Sequence, residues 1–187
     1  MKKIIIFASG SGSNAEAIIE YFKNNNTINI VSIFTNKADA GVIERAKKHH
    51  IPCIVFTKKD FQEPVFLEKI IPYQADLIVL AGFLLKVPDY FVQHFNQKII
   101  NIHPSLLPKY GGNGMYGINV HRAVWEHSEK ESGITIHYVN EHYDQGNIIL
   151  QDKINIQDCS SPEEIAQKIL ALEHQNLPKV IERLLSE

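Results

Sequence analysis

The chain has 187 residues, 44% of them apolar and 21% charged, with a formal net charge of −2. That length is ample for one sizeable core, and the near-neutral charge argues against a nucleic-acid binder that works mainly through phosphate contacts. No apolar run approaches the roughly 20 residues that span a bilayer, and the run of about five behind the basic start "MKKIIIFASGSG" is too short for a secretory signal.

Taken from the N-terminus, the pattern alternates. "KKIIIFA" reads as a strand, and residues 14–23 read as a helix. "INIVSIFT" is a strand, 38–49 a helix and "CIVF" a short strand. Pro64 suits the first turn of a helix running to about Tyr73. "DLIVLA" is a strand, "VPDYFVQHF" a short helix and "KIINIH" a strand. Short continuous apolar runs broken by helical segments predict a parallel sheet covered on both faces. After Pro104 the rhythm changes. A glycine-rich loop, "KYGGNGMYG", leads to a helix from Ile118 to about Glu129. "GITIHYV" and "NIILQDKINI" are two longer strands joined by "NEHYDQG". Ser161-Pro162-Glu163-Glu164 starts a last helix, with a cap residue, a proline and early acids. The expected fold is α/β, Rossmann-like, with a mostly parallel central sheet and a more mixed C-terminal half. Without repeats or linkers, residues 1–187 are expected to form a single domain.

The cysteines, Cys53 and Cys159, stand far apart and match no metal spacing, so a reducing cytoplasmic setting is expected. There are nine histidines but neither HExxH nor a Cys/His cluster, so no metal is expected.

The turn "ASGSGSNAEAI" joins the first strand to the first helix. Gly10 and Gly12 permit a tight connection, and free N–H groups at a helix start favour a phosphate. The plainer alternative is that small residues merely make a tight turn. Gly10, Gly12 and Ala15 also fit a loose dinucleotide fingerprint. The acid that should close the second strand is Asn36 instead, with Asp39 falling in the next helix, so a phosphate without NAD fits better.

In "NIHPSLLP", Ile100 and Ile102 share one face of a strand, and Asn101 and His103 share the other. Ligands of open parallel sheets sit beyond the carboxyl ends of the strands. His103 there suits a general acid or base, and Asn101 a donor to a developing oxyanion. Local capping of the strand end explains the same pair. Asp144, in "NEHYDQGNI", is either a turn former near Gly146 or a carboxylate beside His103; spacing alone does not pair the two.

Together, "FASGSGSN", "FTNKADA", "LAGF", "NIHPSLLPKYGG", the "IHYV" strand with "DQGNII", and "LEHQNLPKVI" resemble the folate-dependent phosphoribosylglycinamide formyltransferase family, in the family's order from Ile4 to Ile181. The resemblance implies transfer of a formyl group from 10-formyltetrahydrofolate to the amine of a glycinamide ribonucleotide, in purine synthesis, without metal or NAD. It implies that Asn101, His103 and Asp144 form a catalytic trio, with a protonated His103 and Asn101 steadying the oxyanion while a water relays protons. It implies that Gly12, Ser13 and Asn14 hold the phosphate, and that Leu170, Ala171, Leu172 and Glu173 lie against the ribonucleotide. Leu84, Leu85, Lys86, Val87, Asn140, Glu141, His142 and Tyr143, with Asn101 and Asp144, would line the folate pocket. The chain departs from the family pattern at Leu85 and Pro64, where arginines are common, leaving Lys86 or Lys58 to meet the folate tail. The loop from Lys109 to Gly117 is longer than in many relatives and is expected to be a lid or an interface.

The partners expected are small molecules, with neither nucleic acid nor membrane, for a monomer or homodimer. The rivals are formyltransfer to another amine, such as methionyl-tRNA, a formyltetrahydrofolate hydrolase, and a non-catalytic nucleotide-binding module. The first two usually carry an added domain, which is not expected here.

Overall fold

The computed structural model describes residues 1–186. Its centre is a seven-stranded sheet built from β1 (Lys2–Phe7), β2 (Ile28–Thr35), β3 (Cys53–Val55), β4 (Leu77–Leu80), β5 (Ile99–His103), β6 (Glu131–Tyr138) and β7 (Ile148–Asn155). Their order is β3-β2-β1-β4-β5-β6-β7. The first five run parallel, and β6 and β7 are antiparallel. This is the α/β architecture expected, with the mixed half after Pro104.

Helices α1 (Ser13–Phe22) and α2 (Val42–Lys48) follow β1 and β2. α3 (Lys58–Gln62) and α4 (Leu67–Ile70) follow β3, α5 (Asp89–His94) and α6 (Ile118–Glu126) flank β5, and α7 (Pro162–Ser186) closes the fold. The strands are apolar runs because both faces are covered. One face packs Ile4, Ile6, Val79, Ile100 and Ile102 with Ile18 of α1 and Ile169, Leu177 and Ile181 of α7. The other carries a phenylalanine cluster, in which Phe7 stacks on Phe34 at 5.1 Å and meets the edge of Phe83 at 5.3 Å. Phe83 thereby anchors the segment after β4.

Two expectations change. The helix predicted from Pro64 is preceded by α3, nucleated by a reciprocal cap: the Thr57 hydroxyl accepts from Asp60 N, and the Asp60 carboxylate accepts from Thr57 N. This capping box satisfies end groups that a helix leaves unpaired. From Pro64 to Tyr73 the chain then forms 3-10 turns around the single turn of α4. Asp39 lies in the turn before α2 rather than in that helix.

Among the described residues no helix is long and apolar enough to cross a membrane, and Cys53 and Cys159 are free thiols.

Candidate active site

A cleft of about 450 Å³ opens at the carboxyl ends of the parallel strands, where open α/β sheets bind ligands. The α1 start supplies one end of it. Gly12 caps α1 in the left-handed region (φ 73°), and no side chain satisfies the first-turn N–H groups. A Cβ on Gly12 would lie 2.6 Å from Val42, so this turn needs glycine. Gly10 has no positive φ and open space around it; its freedom is not needed. Ser11, Ser13 and Asn14 face the cleft. Asn36 is committed elsewhere: its Oδ1 accepts from the Ser9 hydroxyl at 2.6 Å, and Ser9 Oγ accepts from Leu84 N at 3.0 Å. Those bonds tie the ends of β1 and β2 to the segment after β4.

The middle of the cleft belongs to β5 and β6. Their register sets Asn101 opposite His137 and His103 opposite Thr135. Thr135 Oγ1 donates to Ser105 O at 2.7 Å and accepts from Leu107 N at 3.0 Å, fixing the chain just past His103. His103 is 4% exposed. Its Nε2 lies 2.7 Å from Tyr110 O, and a carbonyl only accepts, so Nε2 carries a proton. Its Nδ1 faces Asp144 Oδ2 at 3.7 Å, within ion-pair range and just beyond a direct hydrogen bond. Asp144 adopts φ 53° and accepts from Gly112 N at 2.8 Å, which ties the glycine-rich loop to the loop after β6.

The electrostatics follow from burial. Burial pulls the His103 pKa down, and the opposing Asp144 charge and Tyr110 bond do not fully offset it. The ligand-free cleft therefore favours the neutral ring. Burial pushes the Asp144 carboxyl up, but interactions with His137, His103 and Gly112 N hold it below the usual range.

The sequence reading missed His137. Its Nδ1 lies 2.8 Å from Tyr138 O and its Nε2 3.2 Å from Asn101 Nδ2. The carbonyl places one proton on Nδ1, so in the neutral ring Nε2 accepts from Asn101 and leaves that amide one further N–H to offer; Asp144 Oδ1 lies 3.6 Å from the same Nε2, where a protonated ring meets the carboxylate. The available signal was alternation in "GITIHYV", which sets His137 on the face opposite Ile134 and Ile136.

The far end is lined by α7. Glu173 is 8% exposed and accepts from Asn14 Nδ2 at 2.9 Å. Burial pushes its carboxyl up to about 7, against the Asn14 bond. Asn14 Oδ1 is buried without a partner. Leu170 and Glu173 face the cleft, being three residues apart on one helix side. Ala171 is exposed and Leu172 packs on the core, so neither reaches it.

Leu84, Leu85, Lys86 and Val87 line the opposite wall, with Asn140, His142, Tyr143 and Asp144; Glu141 lies outside. Lys86 is in the cleft wall, 3.4 Å from Asp89, and Lys58 is not. Gly112 to Gly117 also line the cleft, so part of the long loop is a cleft wall.

A family model described as "Formyl transferase" matches residues 2–181. The chain belongs to the formyl transferase family. It is 40% identical to the phosphoribosylglycinamide formyltransferase of Bacillus subtilis, over 99% of this chain and 95% of that protein. The chloroplastic phosphoribosylglycinamide formyltransferase of Arabidopsis thaliana is also 40% identical; all of this chain matches, spanning 66% of the plant protein. Among solved structures, the phosphoribosylglycinamide formyltransferase from Bacillus halodurans superposes with a TM-score of 0.90 at 35% identity, covering 100% of this chain and 96% of that one.

Proposed function

We propose that this chain, as one domain, transfers the formyl group of 10-formyltetrahydrofolate to the amine of glycinamide ribonucleotide, yielding the formylated ribonucleotide and tetrahydrofolate, in the cytoplasm. The observation that carries this reading is the convergence of Asn101, His103 and Asp144 in one cleft, between a helix start suited to a phosphate and an apolar wall suited to a pterin.

The cleft divides by chemistry. The unpaired N–H groups of α1 and the partial positive charge of its N-terminus favour a phosphate beside Ser13 and Asn14. Glu173 and the unpartnered Asn14 Oδ1 accept from ribose hydroxyls. Leu84, Leu85, Val87 and Val139 offer apolar surface to a flat heterocycle, and Lys86 offers a cation to an acidic tail.

The amine attacks the formyl carbon, a C–N bond forms, and the carbonyl pair moves to oxygen. Asn101 Nδ2 donates its remaining N–H to that oxyanion, a group that gains most from a fixed donor as charge develops. His103 holds one proton on Nε2 against Tyr110 O, which leaves Nδ1 to accept the amine's proton through a water. Asp144 then faces an imidazolium rather than a lone pair. The proton passes to the folate nitrogen as its C–N bond to the formyl carbon breaks, and His103 returns to neutral.

Incubating the purified protein with 10-formyltetrahydrofolate tests this reading. Tetrahydrofolate is expected to appear only when glycinamide ribonucleotide is present. Release without an acceptor indicates a hydrolase, and release only with methionyl-tRNA indicates the other transferase; either outcome overturns the reading.

A further inference from the structure

One polar group in the cleft wall has no part in the mechanism above. His121 lies on α6 and is 5% exposed. Its Nδ1 is buried without a hydrogen-bond partner, yet the ring lines the cleft. Burial, with the nearby His103 charge as a smaller cause, lowers its pKa to about 4, so the ring is neutral at working pH. Buried imidazole nitrogens are normally paired, and a sealed N–H is rarer than a sealed acceptor. The lone pair therefore sits on Nδ1 and the proton on Nε2, the nitrogen available to the cleft. With Nδ1 sealed, the ring can meet a ligand only through Nε2, whose N–H has no acceptor within the protein and is left to one that a ligand brings.

Its place narrows which one. α6 packs on α7, so His121 shares a wall with Leu170 and Glu173, across from Leu84 and Val87. It also lies within electrostatic reach of His103. On the proposed reading the ribonucleotide runs from phosphate and ribose at Asn14 and Glu173 to its amine at His103. Between ribose and amine it carries one amide, whose carbonyl is the acceptor there. We propose that His121 donates from Nε2 to the amide carbonyl of the glycinamide arm and so sets the approach of the attacking amine. This inference rests on the proposed function; it adds a substrate contact to the cleft.

Steady-state kinetics of H121L and H121Q, with each substrate varied in turn, test it. In H121L, kcat/KM for the ribonucleotide is expected to fall about 10- to 100-fold, the loss of one oriented hydrogen bond to substrate. KM for the formyl donor should stay within about twofold. H121Q places an amide N–H near the Nε2 position and should recover to within about fivefold of wild type. The ligand-free melting temperature of H121L should not drop, because an unpaired buried polar atom is removed. An unchanged ribonucleotide kcat/KM, an equal loss for both substrates, or a glutamine variant as poor as the leucine variant would overturn the inference. Should H121L fail to fold, H121Q against H121N decides in the same way, since asparagine returns only the Nδ1 position. If the wild type shows no ribonucleotide-dependent formylation, the proposed function fails rather than the His121 contact.

Discussion

His103 Nδ1 stands 3.7 Å from Asp144 Oδ2, while its Nε2 is held 2.7 Å from Tyr110 O. The ring is thus fixed as a proton acceptor on its Asp144 side, and the carboxylate waits for the charge that proton brings.

Asp144→Asn removes that charge. The carboxylate raises the His103 pKa against burial, so its loss lowers the pKa further. The neutral ring is the active base; the acid limb of the kcat/KM profile should therefore move to lower pH. Turnover at neutrality should fall as well, by about 10²–10⁴-fold, because the imidazolium loses its partner. A pH–rate series on both proteins reads the two effects together, and an unmoved acid limb would refute the pairing.

His103→Ala should lower turnover by about 10²–10⁴-fold. Its stability effect should be small, on the order of 1 kcal/mol, from the lost bond to Tyr110 O. Single-turnover rates and a denaturant melt separate the two. Full activity in this variant would leave His103 with only a structural role.

Glu173→Gln should trade affinity for stability. The Glu173 carboxyl is pushed from 4.5 up to about 7, so the folded chain binds more protons than the unfolded chain between those values. Wild-type stability from this group is fully present below 4.5 and is lost as pH rises through about 7. Glutamine removes that loss. The variant should match wild type near pH 4 and exceed it near pH 8 by at most about 3–4 kcal/mol, while binding the ribonucleotide more weakly. Denaturant melts at both pH values and a binding titration provide the check.

The two glycines of the first turn should behave oppositely. Gly12→Ala forces a Cβ into Val42 in a left-handed conformation and should destabilise by about 2–4 kcal/mol. Gly10→Ala meets nothing within 4 Å and should be within about 0.5 kcal/mol of wild type. Equal melting temperatures for the pair would contradict the turn geometry.

The strands were legible because apolar runs such as "KIINIH" admit only buried positions, and glycines and prolines punctuate them. α3 was overlooked although Thr57 and Asp60 carry its cap signature, since the Pro64 signal nearby was stronger. Asn101 and His103 were visible as a pair because both belong to one strand. The approach of His137 to Asn101 and of Asp144 to His103 was not, because the first depends on the β5–β6 register and the second on the path of the loop after β6, neither of which spacing encodes. Glu173 resembled any helix glutamate; only burial against Asn14 distinguishes it, and its role was inferred from the family resemblance. Ala171 and Leu172 came with it as a segment, whereas a helix turns them away from the side that Leu170 and Glu173 share.

The central claim is direct passage of one carbon between two ligands in this cleft. The most direct test follows an isotopically labelled formyl carbon by NMR after mixing labelled 10-formyltetrahydrofolate, glycinamide ribonucleotide and the protein. The label should move to the glycinamide nitrogen as tetrahydrofolate forms, with no free formate, and the transfer should slow by about 10²-fold or more when Asn101 or His103 is replaced. Label released as formate, or retained on the folate while the ribonucleotide stays unmodified, would contradict it.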